Sequence, residues 1–158
     1  MAIKNKWSKI ADYASIRNGK NYVCNSVING KYPFFDRSKN IKYSDRYLFD
    51  EEAIIIPSDG KEFIPKYYKG KFDLHQKCHA LYKFRNIDPK YLYYYILANN
   101  SKLNKKASGS TVASLSIKEI LSFPLLLPEL KKQNLVSNLL FKIDQKIETN
   151  KKINDNLF

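Results

Sequence analysis

Cysteine is scarce in this chain, with only Cys24 and Cys78. Two isolated thiols make no disulfide framework, so a reducing, cytoplasmic setting is expected. Long apolar runs are missing as well. Residues 53–56 form one of the longest, far short of the ~20 residues that cross a bilayer. The opening Met-Ala-Ile-Lys-Asn-Lys-Trp lacks the apolar stretch of a secretory leader. Glycines number five, and none forms a rich turn between a strand and a helix, which sets methyl transfer aside. Asp88-Pro89-Lys90-Tyr91 lacks the second proline of an amino-methyltransferase loop and reads as a helix start. Histidine is limited to His75 and His79, and no Ser-His-Asp or Cys-His set has local support. No internal repeat or low-complexity linker divides the chain.

Acidic residues are the other shortage, at 15 against 28 Lys plus Arg, a net charge of +13. A lysine-favouring genome accounts for part of such an excess. The remainder favours a polyanionic partner, usually nucleic acid. The charge is unevenly placed. Residues 129–158 hold six lysines and four acids, which leaves +11 on residues 1–128. Apolar residues make up 44%, enough for a packed core in one domain with an appendage.

Local patterns place the elements. Residues 7–16 suggest a short strand or helical turn. Arg17-Asn18-Gly19-Lys20 reads as a turn, residues 23–28 as a strand, 31–35 as another and 36–40 as a polar loop. Residues 53–57 are an apolar, β-branched strand stopped by Pro57 and an Asp59-Gly60 turn. Residues 63–68 and 71–74 suggest a hairpin around Lys69-Gly70, and residues 77–84 a strand. Asp88 and Pro89 supply the N-cap and first position of a helix ending at Asn99-Asn100. Its Tyr91, Tyr93, Tyr94 and Tyr95 are expected in packing. Ser116-Ile-Lys-Glu119 forms a capping box for a brief helix. Pro124 and Pro128 bound a short strand, and one unbroken helix follows from about Glu129.

That last helix carries Val136, Leu140, Ile143, Ile147, Asn150, Asn154 and Leu157 at spacings of 4-3-4-3-4-3. This is a heptad seam, with Asn150 and Asn154 as register-setting polar positions. A long helix of this kind is marginal alone and calls for a partner.

Few residues suggest chemistry. His75-x-x-Cys78-His79 with Cys24 matches no paired zinc motif, and strand alternation sends Cys78 and His79 to opposite faces. Asp59-Gly60-Lys61, with Asp45 or Asp50 upstream, admits a Mg²⁺ nuclease reading, although Asp59-Gly60 already serves as a turn. No metal, cofactor or catalytic residue is expected. Contacts to nucleic acid remain. Arg17, Asn18, Lys20, Asn21, Arg37, Ser38, Lys39, Lys61, Lys66, Lys69, Lys105, Lys106, Ser108, Ser110 and Thr111 all fall in expected loops. Lys and Arg there suit phosphates, while Arg, Asn, Ser and Thr also suit base edges. Tyr22 and Tyr67 are candidates for stacking on bases.

The segment 107–130 joins a Gly-Ser-Thr loop, a short helix and a Pro-bounded apolar strand. A Gln133-bearing helix follows and closes on Ile143-Asp144, Ile147-Glu148 and Asn150. With Trp7, the Arg17-Asn18-Gly19 turn, Tyr32-Pro33 and the Ile54-to-Gly60 strand and turn, this order resembles one half of a type I restriction–modification specificity subunit. The resemblance implies an α/β (α+β) globule with a twisted, short-stranded sheet and flanking helices. It makes residues 1–128 a DNA target recognition domain and 129–158 a spacer helix in an antiparallel coiled coil. It also implies a non-catalytic partner of methyltransferase and restriction subunits. A homodimer reading a bipartite palindromic site is expected, with Asn154 facing Gln133 of the second copy. The remaining alternatives are an autonomous Mg²⁺ nuclease and an interaction protein that retargets or blocks a host restriction system.

Overall fold

A computed structural model describes residues 6–109 and 112–156. Two apolar layers share one central strand, β5 (Phe49–Pro57). Its side chains alternate: Ile54 and Ile56 enter one cluster, and Ala53 and Ile55 enter the other. Such double-sided burial explains why 53–56 is apolar without a break. Strand β6 (Lys66–Leu74) pairs antiparallel on one side of β5, and β7 (Cys78–Tyr82) pairs antiparallel on the other. Beyond β7 lies β2 (Ser15–Asn18). Beyond β6 lie β3 (Tyr32–Phe35), which is parallel to it, and β4 (Lys42–Ser44). A separate antiparallel pair joins β1 (Lys6–Lys9) to β8 (Pro124–Leu127).

The six-stranded sheet curls on itself. The end of β6 leaves β5 for β3, and Asn21 bridges His75, bringing the chain after β2 against the chain after β6. Gly19 N–H donates to the Cys78 carbonyl at 3.0 Å, and Lys20 N–H to that of Leu74 at 3.2 Å. The seam needs Gly19, because a Cβ there would lie 2.1 Å from the His75 carbonyl oxygen. Inside the curl pack Phe35, Phe49, Phe72, Leu74, Cys78 and Ala80, with the Phe49 and Phe72 rings stacked at 4.9 Å.

On the outer face, Ile54, Ile56 and Leu81 meet Leu92 and Ile96 of α1 (Pro89–Ala98), Leu103 of α2 (Asn100–Asn104) and Ile120 of α3 (Ile117–Leu121). Both expected N-caps form. Asp88 Oδ1 accepts from Lys90 N–H, and Ser116 and Glu119 make the reciprocal capping box. Tyr91, Tyr93 and Tyr95 pack against this cluster, as expected. The final helix, α4 (Leu130–Asp155), lies along α1. The chain is thus a mixed α+β globule carrying one long C-terminal helix. No described helix is long and apolar enough to cross a membrane.

Three local expectations are corrected. Residues 63–74 make no hairpin: β6 runs straight through Lys69 and Gly70, paired to β5 from Lys66 to Phe72. Gly70 takes φ +132, a conformation other residues rarely adopt, and does so within the paired strand rather than in a turn. Arg17 and Asn18 belong to β2 rather than to a turn, because pairing with β7 holds them extended. Residues 23–25 form a 3₁₀ turn and not a strand. There Asn25 Oδ1 accepts from Tyr22 N–H at 2.8 Å, and this local bond competes with sheet pairing. The helix after Asp88 also resumes as α2 past Asn99.

Replacing Gly19 with Ala should destabilise the chain by about 1–3 kcal/mol, the usual cost of overpacking. Urea unfolding followed by circular dichroism checks it, with a lowered midpoint expected.

Candidate nucleic-acid interface

Three loops meet at one place on the globule: residues 36–41 after β3, 58–65 after β5, and the segment after α2. Asp59 joins all three. Its Oδ1 accepts from Arg37 Nη1 at 2.7 Å, its Oδ2 lies 2.8 Å from Lys77 Nζ, and its backbone bridges Ser114. Gly60 N–H donates to Ala113 O at 3.0 Å, and Leu115 N–H to Ser58 O at 2.8 Å. Ser114 in turn exchanges two backbone bonds with Ser108, at 2.7 and 2.9 Å. Gly109 takes φ +125, and a Cβ there would sit 2.4 Å from Val112 O, so only glycine fits this reversal.

A second carboxylate orders the first loop from within. Asp36 is buried, and Oδ1 accepts from Ser38 N–H at 2.9 Å and Ser38 Oγ–H at 2.6 Å. Lys42 Nζ pairs with its Oδ2. Lys66 reaches under the loop and donates to the carbonyls of Asp36 (3.1 Å) and Ser38. Burial pulls the Lys66 ammonium below the usual lysine range. At Asp36 burial opposes ionisation, but the bonds from Lys42 and Ser38 outweigh it and hold the carboxyl below its ordinary value. Asp59 behaves alike: burial opposes its charge, and Lys77 and Arg37 prevail.

Between these loops lies a groove of about 690 Å³, lined among others by Arg37, Ser38, Lys39, Asp59, Lys61 and Lys66. Five expected contact residues therefore come together. Of these, Lys39 and Lys61 are exposed and make no ion pair among the described residues, while Arg37 is exposed although tied to Asp59. Lys66 is a half-buried strut and not a surface loop residue. Lys105 and Lys106 are exposed just past α2, and Ser108 closes the neighbouring bridge. Ser110 and Thr111 lie outside the described residues.

Other expected contacts do not line the groove. Arg17 sits over the Phe49 ring at 5.2 Å. The Asn18 amide lies 2.6 Å from His79 Nδ1, and Asn21 donates to Asp73 Oδ1 at 2.6 Å. These three serve the curled sheet, because β2 and its continuation form the seam. Lys20 is exposed beside them, and Lys69 is exposed on β6. Tyr67 is half-buried and bonded to Glu52, whereas Tyr22 is 53% exposed, with its ring edge-on to that of His75 at 6.4 Å. Lys77 escaped the sequence reading. Its only signal was a position just before β7, where Ser58 N–H also docks on its carbonyl.

Residues that suggested other chemistry are engaged elsewhere. Both Asp59 oxygens face cations. Cys78 is interior, with burial pushing its thiol up to about 12. His79, on the opposite face, donates from Nε2 to Leu115 O at 3.0 Å, and burial lowers its pKa. No group of three or more His, Cys, Asp or Glu gathers among the described residues.

The expected heptad seam divides on α4. Val136 and Leu140 are half-buried, whereas Ile143 and Ile147 are about half exposed and Asn150 and Asn154 are exposed. Leu157 lies outside the described residues. Leu135 and Leu139, off that seam, are 72% and 61% exposed and extend the free apolar stripe of Ile143 and Ile147. Gln133 is 2% exposed and bonded within its own chain, so it is not the partner expected for Asn154.

Residues 4–157 match the family model described as the type I restriction modification DNA specificity domain. The chain belongs to that family. The specificity domain is 26% identical over 123 residues to the type I restriction enzyme EcoDI specificity subunit of Escherichia coli, covering 78% of this chain and 27% of that one. Its fold is similar to that of the type I restriction–modification S subunit from M. genitalium. There the TM-score is 0.81 at 16% identity, over 93% of this chain and 41% of the other. The HsdS subunit from Thermoanaerobacter tengcongensis gives a TM-score of 0.67 at 14% identity, over 94% and 39%. The specificity domain thus spans about a quarter of the curated relative and about two fifths of the solved subunits. The family and fold expected from the sequence are both borne out.

The clasp at Asp59 predicts a pH dependence. Its folded pKa is depressed, so its stabilisation is present above the unfolded value, about 3.9, and is lost as pH falls through the folded value. Asp59→Asn should therefore melt below the parent at neutral pH, and the gap should close in acid. Thermal denaturation of both chains across that range measures it.

Proposed function

We propose that this specificity domain reads one DNA half-site per chain without catalysing a reaction, in the cytoplasm, and directs methyltransferase and restriction subunits to that site. The observation that carries this reading is the basic groove, whose three loops are held in fixed relation by Asp59 and Asp36. Exposed Lys39 and Lys61 suit phosphates, and Arg37, Ser38 and Ser108 suit positioning or base-edge contacts. Loops on a rigid scaffold are where such recognition is usually carried. The names of the relatives, specificity subunits of type I systems, point the same way.

Two functional parts follow. Residues 1–128 are the recognition domain, and residues 129–158, which carry α4, are the part that pairs with its counterpart in a second copy. The exposed stripe of Leu135, Leu139, Ile143 and Ile147 supplies the apolar contact, with Asn150 and Asn154 setting register. An α-helix of 26 residues is about 39 Å long. Antiparallel pairing then separates two recognition domains by about one DNA turn, ~34–36 Å. A two-fold dimer reads inverted half-sites.

Selection of bound duplexes from a random pool, with and without the methyltransferase subunit, tests the reading. Two inverted half-sites about one turn apart are expected. A single asymmetric half-site would remove the dimer, and no enrichment in either condition would leave an interaction role alone. Lys39→Ala and Lys61→Ala should each weaken binding to all sequences alike and lower the salt slope by about 1. Titrations at several salt concentrations measure both effects.

A further inference from the structure

Where α4 begins, packed on α1, it buries polar groups at a place where leucines would pack. Gln133 Oε1 accepts from Asp88 N–H at 3.1 Å, and its Nε2 donates to Pro128 O at 2.9 Å. One turn later Ser137, 1% exposed, donates from Oγ to Asp88 Oδ2. The other oxygen of Asp88 caps α1 through Lys90 N–H at 2.9 Å. One carboxylate therefore serves both helices. The contact continues with the Lys90 ammonium 3.9 Å from the centre of the Phe141 ring, and it ends where Tyr94 Oη donates to Asp144 at 2.7 Å. Past Asp144 every described residue of α4 is exposed.

Apolar helix contacts tolerate sliding and small rotations. A buried, satisfied polar cluster admits one arrangement, because any other leaves donors or acceptors unpaired at a cost of about 1–3 kcal/mol each. The leverage is large. A change of about 10° at Gln133 would move the far end of α4, about 33 Å away, by about 6 Å. That equals about two base pairs at ~3.4 Å per step.

We propose that Gln133 and Ser137, latched on Asp88, are positioning residues that set the number of base pairs between the two half-sites. This rests on the DNA-reading dimer proposed above. Helix length alone does not fix the spacing: the angle at which the recognition domain is held on α4 does so too.

Two measurements on the full chain test it. In the first, a spin label on exposed Cys24 and another on Lys151→Cys report the domain-to-helix distance by pulsed electron paramagnetic resonance. Labelled chain is diluted in unlabelled chain so that only intrachain pairs count, and buried Cys78 stays unlabelled. In the second, duplex selection reports the spacing. The parent should give one narrow distance and one spacing. Gln133→Leu combined with Ser137→Ala keeps an apolar contact but removes the latch. It should broaden the distance and spread the selected sites over several spacings, with the half-site sequence unchanged. If circular dichroism shows that the double variant fails to fold, Ser137→Ala alone should show the same broadening to a lesser degree. An unchanged narrow distance with a single unchanged spacing would overturn the latch. If the parent selects no half-sites, the DNA reading falls and the spacing role with it. The distance measurement then still decides whether the three residues hold the helix.

Discussion

Ala53 and Ile55 face one apolar cluster and Ile54 and Ile56 the other, so residues 53–56 of β5 have no side for water. Both faces must be covered at once, and the two-stranded β1–β8 sheet does not supply a cover for the inner one. The six strands meet this constraint by curling, so that β6 passes from β5 to β3 and its far end returns to the segment after β2. The helices cover the other face. With both layers committed to burial, the polar loops at the strand ends are left to define a surface.

Two carboxylates turn those loops into a shaped site. A single exposed ion pair contributes little. Asp59, however, is shared by Arg37 and Lys77 while its backbone joins Ser114, so one residue fixes three segments together. Asp36 works from inside its own loop with Ser38 and Lys42. Lysines meant for solvent are thereby sorted. Lys66 and Lys42 become struts, and Lys39 and Lys61 keep their charge outward. A net positive field then surrounds a groove whose walls hold their shape.

The junction of α1 and α4 uses the same device. Asp88 caps one helix and receives the other, and Gln133 and Ser137 sit in a helix otherwise rich in exposed polar side chains. A globule joined this way to a long arm keeps its orientation over a distance in which small angular errors grow. That is a property a sequence reader with two half-sites needs and a solitary domain does not.

Elements whose causes are local were legible in the residues alone. These were the β-branched run of β5, the Asp88-Pro89 helix start, the Ser116–Glu119 box and the unbroken α4, since caps and side-chain periodicity act within a few residues. The family resemblance rested in part on these segments, and otherwise on Trp7, Arg17-Asn18-Gly19, Tyr32-Pro33, the Gly-Ser-Thr loop and the Pro-bounded strand. Tertiary structure alone decided what depends on distant pairing. It carried β6 straight through Lys69-Gly70, where turn chemistry favoured a reversal, because seven residues of β5 were there to bond it. It drew Arg17, Asn18 and Asn21 into the seam and left Arg37, Lys39 and Lys61 around a groove. On α4 it chose between two apolar stripes one residue apart, placing Val136 and Leu140 partly under cover and Leu135 and Leu139 in water. A heptad count finds a helix with an apolar face, but only the packing of α1 shows which part of that face is already covered.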